Sequence, residues 1–69
     1  MTMSTVHFNG ESHPLPERRS IRELLEQMGL HGKRIAVERN GVVVPKGLHD
    51  TVVLLDGDRL EVIVAVGGG

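Results

Sequence analysis

The 69-residue sequence has no cysteine, tryptophan or tyrosine, and Phe8 is its single aromatic residue. Without cysteine the chain has no disulfide, no thiolate-ligated zinc and no thiol nucleophile. This composition fits a reducing compartment, and we expect a cytoplasmic location. A chain of this length forms one domain with a small core, because it buries only about 60% of its unfolded surface.

An excess of one charge is also lacking, since 8 basic and 9 acidic residues give a net charge of -1. The basic residues are dispersed among acidic ones, and with one aromatic side chain this disfavours nucleic-acid binding. No apolar run approaches the roughly 20 residues that span a bilayer, so we expect no membrane partner. The opening "MTMSTVHFNG" has no charged region followed by an apolar one, and we therefore expect no secretory signal.

Two stretches that contain an Asn-Gly pair predict β-hairpins. In "TVHFNGESHPL", Val6 and Phe8 alternate with polar residues, which is the period of a half-buried strand. Asn9-Gly10 follows, and this pair favours a two-residue turn because both residues tolerate positive φ. "RIAVERNGVVVP" repeats the pattern around Asn40-Gly41, and Pro45 ends the returning arm.

The stretch "SIRELLEQMGL" predicts the one clear helix. Ser20 and Glu23 have the spacing of a capping box, and Gly29 is suited to the position just after the helix. Four residues at i, i+3, i+4 and i+7 spacing form one apolar stripe, with the last expected to fill the core: Ile21, Leu24, Leu25 and Met28.

The final strand is predicted in "RLEVIVAV". One face carries Leu60, Val62, Val64 and Val66, and the other carries Arg59, Glu61, Ile63 and Ala65. A helix on one side of a mixed sheet of four to five strands buries the helical stripe. With the last strand beside the first, the fold class is α+β with a β-grasp, or ubiquitin-like, arrangement. We predict a domain over residues 1–66 and a flexible glycine tail over 67–69.

A single helix covers one sheet face, so Ile63 and Ala65 are expected on the open face beside the tail. With Val66 they are candidate partner-docking residues. Isolated exposed apolar residues are common, however, and this ordinary explanation is as well supported by the pattern as docking is.

Side chains that would indicate catalysis or metal binding are not grouped in the sequence. The four histidines lie apart, without zinc-site spacing, and are expected at the surface or partly packed: His7, His13, His31 and His49. Asp56-Gly57-Asp58 is better explained as turn chemistry than as a calcium loop. We therefore predict no catalytic residue, no metal site and no bound cofactor, and hence no enzyme.

The terminal "GGG" remains to be explained. Three glycines reach about 10 Å from the strand end and can thread a narrow channel, because they have no side chains. The Gly69 carboxylate would then be presented to a partner that activates it. A frayed end or an engineered addition would have the same composition, so the residues alone do not decide between these explanations.

The motifs together resemble the ThiS/MoaD sulfur-carrier family, most closely its thiamin-biosynthesis branch. They are "FNGE", "IRELLEQMGL", "IAVERNGVVVP", "LLDGDRLEVI" and "VGGG", and they cover nearly the whole chain. The resemblance implies that a ThiF-type, E1-like adenylyltransferase adenylates Gly69 with ATP and Mg. Sulfur, supplied indirectly by a cysteine desulfurase or sulfurtransferase, would then displace AMP and leave a C-terminal thiocarboxylate.

The resemblance further implies that a ThiG-type thiazole synthase takes this sulfur for the thiazole ring of thiamin. Gly69 is then the modified residue, and Gly67 and Gly68 complete the tail motif. A carrier for molybdopterin or another sulfur-transfer route would keep the same tail. A ubiquitin-like protein modifier, or an interaction module with an inert tail, would also be compatible with these residues.

Overall fold

The computed structural model describes residues 4–15, 17–30 and 32–65. In chain order the elements are β1 (Ser4–Phe8), β2 (Glu11–Leu15), α1 (Ile21–Gln27), β3 (Ile35–Arg39), β4 (Val42–Val44), a 3-10 turn (Lys46–Leu48) and β5 (Arg59–Val64). The sheet order is β2-β1-β5-β3-β4, with β1 and β5 parallel and the other pairs antiparallel. The predicted β-grasp arrangement is confirmed, including the central parallel pair and the hairpin returns at both edges.

Both hairpins turn at their Asn-Gly pairs, as predicted. Asn9 and Asn40 have φ of 49° and 53°, and the glycines that follow them also have positive φ. Two consecutive residues with positive φ form the turn whose twist matches the flanking strands. The turns therefore set the register of β1 with β2 and of β3 with β4.

Helix α1 begins with the predicted capping box. The Glu23 N–H donates to Ser20 Oγ at 3.1 Å, and the Ser20 N–H donates to Glu23 Oε1 at 2.8 Å. At the other end Gly29 has φ of 76°, and the Leu30 N–H donates to the carbonyl of Leu25 at 2.8 Å. This Schellman-type ending turns the chain back, so that Leu30 packs against the core.

Met28 is not a core residue, and that prediction was wrong. Helix α1 ends at Gln27, so Met28 is the C-cap, and it is 36% exposed. The chain reverses at Gly29 before a further helical turn can bury the methionine. The half-buried Leu30 supplies an apolar contact after the helix instead.

The core lies between α1 and one face of the sheet. Its buried residues come from the strands, the helix and the connection before β5: Val6, Leu15, Ile21, Leu24, Leu25, Val37, Leu54, Leu60 and Val62. Each fully buried side chain of this size contributes about 1.5–3 kcal/mol. The opposite sheet face has no helix over it among the described residues, and it is this face that leads to the candidate site.

Candidate functional site at the end of β5

A buried carboxylate fixes the N-terminal end of β5. Asp58 is 5% exposed, and its Oδ2 accepts from the Leu55 N–H and from Arg39 Nε, both at 2.8 Å. Its Oδ1 accepts from Asn40 Nδ2 at 3.1 Å. Burial by itself raises the pKa of Asp58, but these hydrogen bonds and the Arg39 charge outweigh it, so the pKa lies below its ordinary value.

The middle of β5 is held by the side chain of Asn9. Asn9 Oδ1 accepts from the Val62 N–H at 2.7 Å, and Asn9 Nδ2 donates to the Val62 carbonyl at 3.1 Å. The Asn9 N–H also donates to the Leu60 carbonyl at 2.8 Å. The asparagine thus continues the β1–β5 ladder past the last residue of β1, in addition to forming the turn.

At the far end of β5 the predicted docking residues are exposed. Ile63 is 60% exposed and Ala65 is also exposed, on the side opposite the core. The predicted face assignment of these residues is confirmed. Val64 faces the core side but is 38% exposed, whereas Val62 on the same side is buried.

The open face around Ile63 combines apolar and acidic groups. Ala36 of β3 lies opposite Ile63, and Glu38 lies opposite Glu61. Within the described part of the chain, neither glutamate has an ion pair or a side-chain hydrogen bond. Like charges directly opposite on a sheet repel each other, so a basic group of a partner would relieve this pair.

The remaining site predictions lie outside the described residues. These are the docking residue Val66 and the tail motif Gly67, Gly68 and Gly69. The division into residues 1–66 and 67–69 consequently stays a prediction. The structure defines the residue that precedes them, Ala65, whose N–H donates at 2.8 Å to the carbonyl of Arg34, the residue before β3.

The described residues contain no group of three or more His, Cys, Asp or Glu side chains placed to hold a metal ion. His49 is more buried than expected, at 6% exposure, with Nε2 3.1 Å from the Val44 carbonyl. His49 lines a cleft of about 300 Å³ between α1 and the 3-10 turn, on the side of the sheet that the helix covers. Across the described ranges, no helix is long and apolar enough to cross a membrane.

Comparison with known proteins identifies the family. The family model described as "ThiS family" matches residues 6–69. The chain belongs to the ThiS family. The sulfur carrier protein ThiS of Thermus thermophilus is 39% identical over 69 residues, which cover 93% of this chain and 98% of that protein. ThiS chains are small sulfur carriers, so the predicted family and the prediction that the chain is not an enzyme are confirmed at family level.

A solved ThiS structure agrees with the fold. The crystal structure of the thiamine biosynthesis protein ThiS from Geobacter metallireducens superposes with a TM-score of 0.79 and 28% identity, covering 94% of this chain and 99% of that one. A thiazole synthase of Magnetococcus marinus is 39% identical over 64 residues. The chain spans about a fifth of the length of the thiazole synthases it matches.

Sequence reasoning missed the two anchors of β5. The Asn-Gly pairs predict backbone turn geometry alone, whereas the side chain of Asn9 also binds Val62 in β5 and that of Asn40 binds Asp58 and Arg59. The sequence predicts turn chemistry for Asp58, which the bond from the Leu55 N–H confirms. Its pairing with Arg39 had no local signal, because the two residues are 19 positions apart.

Proposed function

We propose that this chain is a sulfur carrier for thiazole formation in thiamin biosynthesis, with the sulfur held as a thiocarboxylate at Gly69. The observation that carries the proposal is the ThiS family match, which extends through the glycine motif to residue 69. The thiazole synthases that contain a segment similar to this chain support the choice of acceptor. A carrier segment and a synthase within one polypeptide would be kept at high effective concentration.

The proposed chemistry takes place at one carboxylate, with all catalytic groups supplied by partners. A ThiF-type adenylyltransferase binds ATP and Mg, and the Gly69 carboxylate attacks the α-phosphate and releases pyrophosphate. A persulfide sulfur then attacks the acyl carbon and expels AMP. A thiol cleaves the resulting acyl disulfide, and this step leaves the thiocarboxylate on the carrier and a disulfide on the donor side.

The fold supports this role because the residues that anchor β5 are different from the glycines that would react. β5 is anchored by Asp58 and Asn9 at its start and middle, and the glycines follow its far end. Glycines offer no side chains to obstruct a narrow channel. Beside the strand end, the apolar Ile63 and the facing Glu38 and Glu61 carboxylates suit a partner surface with apolar and basic side chains.

The test is thiocarboxylation with the cognate adenylyltransferase, MgATP and a sulfur donor, followed by intact-mass measurement. We expect the gain of one oxygen-to-sulfur exchange in the natural chain. Deleting Gly69, or adding one residue after it, is expected to abolish the gain without changing thermal unfolding. The proposal fails if the natural chain gains no mass while the adenylyltransferase is active on another carrier.

A control separates the carrier function from protein modification. In a cell extract supplied with ATP, a modifier would form covalent conjugates of higher mass with other proteins. We expect instead that the sulfur is consumed by thiazole synthase and that unmodified carrier is regenerated. Accumulation of conjugates through Gly69 would contradict the proposed acceptor.

A further inference from the structure

The backbone groups of β5 point alternately to its two neighbours. On the β3 side, the Asn40 N–H donates to the Arg59 carbonyl and the Ala65 N–H donates to the Arg34 carbonyl, both at 2.8 Å. In an antiparallel ladder, hydrogen-bonded pairs alternate with pairs whose backbone groups point away. The odd-numbered residues of β5 therefore direct their N–H and C=O groups to β3.

The even-numbered residues direct theirs to β1. The carbonyls of Asp58 and Leu60 accept from the N–H groups of His7 and Asn9, both at 2.8 Å. At the next even position, the N–H and the carbonyl of Val62 are both bound by the Asn9 side chain. The ladder on this side ends there, because β1 ends at Phe8 and the chain turns away into β2.

Val64 is the next even residue, and its backbone faces the side that β1 has left. Among residues 4–15, 17–30 and 32–65, no hydrogen bond reaches its N–H or its carbonyl from that direction. The residue is 38% exposed, and Ala65 after it stays bound to β3. β5 therefore ends as an extended strand with one paired edge and one open edge.

We propose that the open edge at Val64 is a strand-addition site for an extended segment of the adenylating partner. The inference rests on the proposed function, which supplies that partner. Strand addition takes its affinity from main-chain hydrogen bonds, and these need no side chains from a glycine tail. Pairing at Val64 would fix the direction in which the tail leaves the domain, and the exposed Ile63 would contact the partner from the open face.

The decisive perturbation removes the Val64 N–H by two different chemical routes. Val64→Pro does so by ring closure, and replacing Val64 by its α-hydroxy acid does so by a backbone ester that keeps the side chain. Neither removes an N–H that is hydrogen-bonded within the described part of the domain. The ester also weakens the Ile63 carbonyl as an acceptor toward β3, so the thermal stability of each variant is measured beside its kinetics. Val64→Ala controls for the side chain.

The readouts are adenylation kinetics, measured as the KM for the carrier, and amide hydrogen exchange. We expect both Val64 backbone variants to raise this KM about tenfold over Val64→Ala, because a partner acceptor loses its donor. In the natural chain, the Val64 amide is expected to exchange rapidly when free and slowly in the complex.

The outcomes of the two proposals are distinguishable. If the natural chain is adenylated and both Val64 backbone variants match Val64→Ala, strand addition is refuted while the carrier function stands. Strand addition is also refuted if the Val64 amide hydrogen exchanges as fast in the complex as in the free chain. If the natural chain is not adenylated by an active partner, the proposed function fails, and strand addition to that partner fails with it.

Discussion

Asp58→Asn tests whether the buried carboxylate stabilises the start of β5 through its charge. The substitution keeps the size of the side chain but replaces one acceptor oxygen with an NH₂ group. If the remaining oxygen accepts from the Leu55 N–H and Arg39 Nε, the new NH₂ faces Asn40 Nδ2, which is also a donor. Asn40 cannot rotate its amide to repair this, because its Oδ1 already accepts from the Arg59 N–H at 2.9 Å.

The magnitude follows from these contacts. One hydrogen bond is lost, and two donors are left facing each other, the exposed Asn40 Nδ2 and the buried new NH₂ group. The bond from Arg39 also loses its charge assistance. Together these cost about 2–3 kcal/mol of the free energy of unfolding at neutral pH, since a net hydrogen bond contributes roughly 1 kcal/mol and an unpaired buried donor costs at least as much. Such a loss is a large fraction of the stability of a small domain.

The pH dependence gives the sharper test. Because the pKa of Asp58 is lowered in the folded state, its contribution is fully present above the unfolded pKa of about 4. That contribution is lost as the pH falls through the lowered folded pKa. Urea unfolding of both proteins across this range should therefore show the difference closing in acid. Equal stability at neutral pH, or a difference that stays constant in acid, would refute the reasoning.

Three further perturbations test the turn, the helix cap and the open face. Asn9→Gly keeps the turn but removes both side-chain bonds to Val62, so urea unfolding should show a loss of about 1–2 kcal/mol. Ser20→Ala breaks the capping box with Glu23 and should cost about 1 kcal/mol in the same assay. Ile63→Asp places a third carboxylate on the face of Glu38 and Glu61, so stability should fall by about 1 kcal/mol with the fold retained, while the KM for adenylation rises.

The turn substitution has a matched comparison. Asn40→Gly removes the bonds to Asp58 and Arg59 at the other hairpin and should also destabilise. A glycine variant at position 9 as stable as the natural chain would mean that the Asn9 bonds contribute nothing. If Ile63→Asp leaves adenylation unchanged, the open face near the strand end is not the docking surface.

The sequence predicted those features that depend on residues close together in the chain. Asn9-Gly10 located the first hairpin, Ser20 and Glu23 located the helix start, and strand alternation placed Ile63 on the open face. In each case the physical cause lies within a few residues. The turn needs residues that tolerate positive φ, the helix start needs an acceptor for a free backbone N–H, and the strand alternates its side chains with a period of two.

The features that the sequence did not predict depend on distant contacts. Asn9 reaches Val62 across 53 positions, and Asp58 reaches Arg39 across 19. Met28 matched the helical period but became exposed because the helix ended before it. Such outcomes are determined by how elements pack, and no pattern within a short window reports them.

The central claim is that one carboxylate, that of Gly69, carries the sulfur. The most direct test is tandem mass spectrometry of the natural chain after incubation with the adenylyltransferase, MgATP and the sulfur donor. We expect the oxygen-to-sulfur exchange in the fragment that ends at Gly69, only when ATP is present, and its loss on turnover by thiazole synthase. A modification on any other residue, or none in the presence of an active adenylyltransferase, would contradict the account.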